Sequence, residues 1–190
     1  MKITINNDIW CYIEIEESVC KYKFLSENIP ECVSGYKNGT QRENYGYHKR
    51  EKTLPKVIEG SVLCSSPADA RQCATSIREL IERGYGEDSG WIVGLDMEDI
   101  FTHFNSEPMR FVYRRLTDFS DDESLRQICD ALKDSRSLFC FFVLPERELN
   151  ARLDCVNEAY QKILPDIDAQ LLFQCSVGNY PDIIINVWYR

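Results

Sequence analysis

Apolar residues recur along this chain with two different periods, and the change from one to the other marks its elements. Ile3 and Ile5, then Ile9, Cys11, Ile13 and Ile15, alternate with other residues around Asn6-Asn7-Asp8. A period of two predicts a β-hairpin or two short strands there. Residues 34 to 56 have no apolar period and carry Gly, Asn and Pro, which predicts a long loop. From residue 61 the period turns helical. Ser66-Pro67 supplies an N-cap with proline at the first helical position, and Ala70, Cys73, Ala74, Ile77, Leu80 and Ile81 recur on one face until Gly84 and Gly86. A second helix is expected near Asp99, a strand at about 109–116, and a helix after the acidic turn 118–123 with Leu125, Ile128, Cys129 and Leu132 inward.

Ser137 to Leu144 is a nearly continuous apolar run, the composition of a central strand buried on both faces, and Pro145 ends it. Leu149, Leu153, Val156, Tyr160 and Ile163 then predict a helix over 146–164. Two strands, 169–177 and 182–189, flank Gly178-Asn179-Tyr180-Pro181 and are expected to form a hairpin. The order predicts an α/β layer sandwich, a mixed sheet of about four strands with packed helices, over residues 61–190. Residues 1–60 form an N-terminal β extension, whose strands are expected to cover the apolar stripe of the helix at 66–83.

Composition narrows the function classes. The 190 residues are 44% hydrophobic and 28% charged, with no apolar run approaching the ~20 residues of a membrane helix. The first residues lack a secretory h-region, so a cytoplasmic protein with reduced thiols is expected. A net charge of -9 disfavours general binding to nucleic acid or anionic membrane. Nine cysteines, at 11, 20, 32, 64, 73, 129, 140, 155 and 175, include no C-x-x-C and no pairing with either histidine. Core packing explains them better than a metal site, and neither metal nor cofactor is expected.

The one basic segment lies in the 34–56 loop, where Lys37, Arg42, Lys49, Arg50, Lys52 and Lys56 interleave with Tyr36, Tyr45 and Tyr47. Tyr45, Tyr47, Lys49 and Arg50 are candidates for gripping an acidic partner; a solvated surface loop has the same composition.

The segment Gly94-Leu95-Asp96-Met97-Glu98-Asp99-Ile100 follows the 66–83 helix. With Ile167 to Phe173 and Ile183 to Val187 closing the chain, this ordered set resembles the central helix and C-terminal domain of the FtsZ/tubulin family, over roughly residues 66 to 190. Asp96 and Asp99 match the two aspartates of the family's N-x-D-F-x-D-V loop, while Gly94 stands for its asparagine and Met97 for its aromatic residue. The resemblance implies that this loop could enter a neighbour's nucleotide site, where carboxylates orient water toward the γ-phosphate. Capping of the next helix by Asp99 is the simpler role.

No glycine-rich tubulin signature and no Walker-type loop occurs, so hydrolysis of GTP by this chain alone is not expected. His48 lies in the basic loop and His103 after the aspartate loop, with no nucleophile-elbow Ser or Cys near either. The reading that results is a non-catalytic interaction or assembly module whose partner is a protein, either an FtsZ/tubulin-type GTPase or a second copy. A trans-acting subunit supplying Asp96 and Asp99, and a stand-alone small-molecule enzyme on a similar fold, are the alternatives.

Overall fold

In a computed structural model, the structure describes residues 2–6, 9–26, 56–85, 91–93, 103–104, 108–118, 120–145, 161 and 170–190. Strands β1 (Lys2–Asn6), β2 (Ile9–Glu16), β3 (Val19–Ser26) and β4 (Lys56–Leu63) precede helix α1 (Pro67–Tyr85). There follow β5 (Trp91–Val93), β6 (Met109–Leu116), helix α2 (Asp122–Leu132), β7 (Ser137–Pro145), β8 (Gln170–Gly178) and β9 (Ile183–Tyr189). The nine strands form one mixed sheet in the order β1-β2-β3-β4-β6-β9-β7-β8-β5.

The sheet is thus much wider than about four strands. β1 to β4 are an antiparallel meander, and β4 joins the rest through a short parallel pairing of Val62 with Met109 and Leu63 with Arg110. A boundary drawn at residue 60 falls inside β4, so the extension continues the same sheet. Nor do β8 and β9 pair as a hairpin. β7 lies between them, parallel to β8 and antiparallel to β9. The turn residues after Gly178 bridge over the end of β7, a span of two strand spacings, roughly 10 Å, that four residues can cover.

Local chemistry starts both helices. Ser66 Oγ accepts the Asp69 N–H at 3.1 Å and donates to Asp69 Oδ2 at 2.8 Å, a reciprocal cap that leaves Pro67 where no N–H is needed. Asp121 Oδ1 accepts the Ser124 N–H at 3.1 Å at the start of α2, and these hydrogen bonds hold its carboxyl below the ordinary range.

Each helix covers one face of the sheet. Ala74, Ile77, Leu80 and Ile81 of α1 pack on Cys11, Ile13, Cys20, Tyr22 and Phe24 of the meander, and on Phe139, Phe141 and Trp188. The apolar stripe of α1 is therefore covered by the N-terminal strands, as expected from the sequence. Leu125, Ile128 and Leu132 of α2 pack on the opposite face, against Leu138, Cys140, Phe142, Ile185 and Val187; Cys129 is only half-buried. β7 thus feeds both cores, which explains its unbroken apolar composition. Between α1 and the sheet, Ser76 Oγ donates to Asn186 Oδ1 at 2.6 Å, and Asn186 Nδ2 donates to Phe141 O at 3.3 Å. This satisfied buried network fixes the helix against β9 and β7.

Candidate functional site

Among the described residues, nothing packs on the second face of β2, β3 and β4. Cross-strand pairing sets three side chains in each row of that face: Tyr12–Lys23–Glu59 in one, Glu14–Lys21–Ser61 in the next. Val57 and Leu63 flank these rows and are 47% and 49% exposed; Tyr12 is also exposed. Lys23 Nζ lies 3.3 Å from Glu59, and Lys21 pairs with Glu16, whose carboxylate raises the lysine pKa. These ion pairs are exposed, so solvent screening leaves them little net effect on stability. Their larger effect is to interleave charge with the apolar side chains, which keeps the face soluble while leaving it able to bury area against a protein.

A depression of about 670 Å3 lies in the same face, bordered by Tyr12, Glu14, Lys21, Lys23, Glu59 and Ser61. Gly60 and Tyr22 are cross-strand partners beneath it. The Tyr22 hydroxyl crosses the position a Gly60 side chain would take and donates to Phe104 O. Burial raises the pKa of that phenol, so it serves as a neutral structural donor. Sequence reasoning missed this face because β3 and β4 went unread. The alternation Cys20-Lys21-Tyr22-Lys23-Phe24 was the signal that could have found it.

The candidates named from the sequence are placed as follows. Asp96 and Asp99, His48, and Tyr45, Tyr47, Lys49 and Arg50 lie outside the described residues. His103 is buried in an aromatic core, 5.7 Å from the ring of Phe139 and with Nδ1 3.3 Å from Ser137 Oγ. Burial, then the positive charge of Arg190, holds its pKa down at about 4, so it sits neutral in the core. Its neighbour Phe104 stacks edge-on against Tyr22, Trp188 and Phe139, with centroids 5.3, 5.4 and 5.8 Å away. Residues 103–104 therefore anchor the chain that follows the aspartate segment.

Cys11, Cys20, Cys73, Cys140 and Cys175 are buried, and burial raises the Cys11 and Cys140 thiols to about 12, which suits packing and not reactivity. Among the described cysteines, Cys64 is the partly exposed exception on the α1 side. Among the described residues, no three His, Cys, Asp or Glu side chains converge on a point that could hold a metal ion. Among them, no helix is long and apolar enough to cross a membrane.

The chain matches no protein-family model, and no curated protein matches it. Among solved structures, it is similar to the GDP-form protofilaments of TubZ from Bacillus thuringiensis serovar israelensis, with a TM-score of 0.48 and 12% identity over 65% of this chain and 35% of that one. The GTPγS-form protofilament of the same protein gives a TM-score of 0.47 at 12% identity, over 63% and 34%. A type III plasmid segregation TubZ gives 0.44 at 12% identity, over 65% and 36%. The chain spans about a third of the length of these structures, and at this identity the likeness concerns the fold alone.

Proposed function

We propose that this chain is a non-catalytic interaction and assembly module, built around a domain related to the C-terminal half of FtsZ-like cytoskeletal GTPases. One observation carries the reading: the outer face of β2, β3 and β4, on which no described element packs and where Tyr12, Val57 and Leu63 stand exposed between lysines and glutamates. Isolated apolar surface residues are ordinary, but Tyr12 and Val57 at one end of this face and Leu63 at the other frame the lysines and glutamates between them, a mixed surface on which a protein can dock. The N-terminal meander occupies the α1 stripe, so among the described residues its uncovered side is the outer face. The partner class is a polymerising FtsZ/tubulin-type GTPase, and the compartment is the cytoplasm.

Co-sedimentation tests this directly. A polymerising FtsZ/tubulin-type GTPase should carry the full-length chain into the pellet, and Val57→Ser/Leu63→Ser should leave it in the supernatant. Equal pelleting of the double variant, or no pelleting of the wild type with any such polymer, would sink the reading. A second version, in which this chain supplies Asp96 and Asp99 to the partner's nucleotide site, differs in one measurement. Asp96→Ala/Asp99→Ala would then pellet normally but lose stimulation of the partner's GTP hydrolysis.

A further inference from the structure

The short parallel joint between β4 and β6 sets an arginine between two apolar side chains. Val62 and Met109 pair there and are buried on the α1 side, so the next pair, Leu63 and Arg110, stands on the opposite side of the sheet. Arg110 is also the cross-strand partner of Tyr189 in β9. Paired residues on one sheet face lie roughly 5 Å apart, which makes Leu63, Arg110 and Tyr189 a row of adjoining side chains. Leu63 closes the outer face of the meander, and Tyr189 packs at the margin of the core under α2. A depression of about 270 Å3 opens on this row, with Cys64 and Ser65 also in its walls. That is room for roughly nine waters at liquid density, or for a side chain or two.

The charge of the row is unbalanced. Acidic residues outnumber basic ones in this chain by 31 to 22. Lys21, Lys23, Arg78, Arg115 and Arg126 each have a carboxylate of the chain beside them. Arg114 and Arg190 donate to the carbonyls of Tyr113 and His103. Arg110 is exposed and has no ion pair or hydrogen bond among the described residues, and no described residue bordering the depression carries a carboxylate. Its planar fork is therefore open to an anion from outside. Leu63, 49% exposed, and the half-buried Tyr189 ring add apolar area on either side of the fork. A carboxylate held on an apolar flank matches both features: it takes two guanidinium N–H groups, and its neighbour covers Leu63 and excludes water, which strengthens the pair.

We propose that Leu63, Arg110 and Tyr189 form a docking pocket for an acidic peptide segment of a partner protein. One Asp or Glu carboxylate of that segment accepts from the Arg110 guanidinium, and an adjoining apolar side chain covers Leu63 and Tyr189. Arginine and tyrosine beside an aliphatic residue are the composition of interface hot spots. The pocket meets the outer face of the meander at Leu63, yet the assignment does not depend on the partner being a polymerising GTPase, because it concerns only the chemistry of the docked segment.

The test follows the Arg110 Nε–Hε and Leu63 methyl resonances of the isotope-labelled full-length protein as acetyl-Phe-Glu-Phe-amide is added. The neutral acetyl-Phe-Gln-Phe-amide and free glutarate are titrated in parallel. The Glu peptide should move both resonances saturably, and the Gln peptide should bind at least about ten-fold more weakly, the factor that a charge-assisted hydrogen bond supplies. Arg110→Gln, followed through the Leu63 methyls, should show the same loss, and Arg110→Lys, which keeps the charge without the fork, should fall between. Unmoved resonances of β7 and β9 report that each variant is folded, and the Glu-to-Gln peptide comparison on the wild type decides the matter without any variant. No saturable movement, equal binding of the Glu and Gln peptides, or undiminished binding by Arg110→Gln would overturn the pocket. Glutarate binding as tightly as the Glu peptide would overturn the peptide as its occupant.

Discussion

The two parts of the sheet solve the problem of burial differently. In β3, Cys20, Tyr22 and Phe24 are buried while Lys21 and Lys23 between them are exposed. In β7, every residue from Ser137 to Leu144 is buried. Among the described residues the meander is covered on one face, by α1 and Phe104, whereas β7 and β9 are sandwiched between α1 and α2. Strand composition thus reports the number of covered faces, and a strand that alternates announces a surface that something outside the core could use.

Substitutions at graded distances from the joint between these parts sharpen the comparison. Phe104 touches aromatic rings from both, so Phe104→Ala should cost about 3–5 kcal/mol in urea unfolding and should destabilise the two parts together. If only the meander melted early, with β7 and β9 unaffected, the parts would be separate folding units. The neighbouring His103 adds a pH dependence. Its pKa falls from 6.5 unfolded to about 4 folded, so its contribution is complete above pH 6.5 and is lost as the pH falls toward 4. That amounts to about 3 kcal/mol, and the acid limb of stability against pH should be shallower by that much in His103→Phe.

Within the meander, Gly60→Ala would place a methyl group on the Tyr22 hydroxyl and 3.2 Å from Phe104 O. The clash should cost about 1–3 kcal/mol in thermal unfolding, because the obstacle is partly backbone. On the open face the effect should nearly vanish. Leu63→Ser should change stability by no more than about 0.5 kcal/mol in the same assay, since the side chain is already half in solvent. A large loss there would mean that the face is covered after all.

Much of the C-terminal architecture was legible because its elements are long and strongly periodic. The α1 stripe is buried at every position from Ala70 to Ile81 that the period picked out, and α2, β6, β7, β8 and β9 lie within a residue or so of their expected bounds. β4 was hidden by its own function in packing. Gly60, which weakens a strand signal, is required there because Tyr22 fills the space of its side chain. β5 is three residues long, too short for any period to register. Pairing partners were the deeper loss. Nothing local in Gly178 to Tyr189 records that β7 separates β8 from β9, because that choice is made by burial of β7 on both sides. The outer face of the meander failed to register for the same reason: Tyr12, Val57 and Leu63 share a face only once the strands are paired.

The strand order also sets a timetable. β1, β2 and β3 pair with the strand that precedes or follows them, so this part of the sheet can close soon after synthesis. β9, which follows every other strand in the chain, lies between β6 and β7 and contributes Trp188 to the aromatic core. Until it arrives, β6 and β7 present unpaired edges and apolar faces to whatever is near, the condition in which nascent chains aggregate or recruit chaperones. The meander is in effect an early-folding platform, and the strand that fills the gap between β6 and β7 is made after the other described strands.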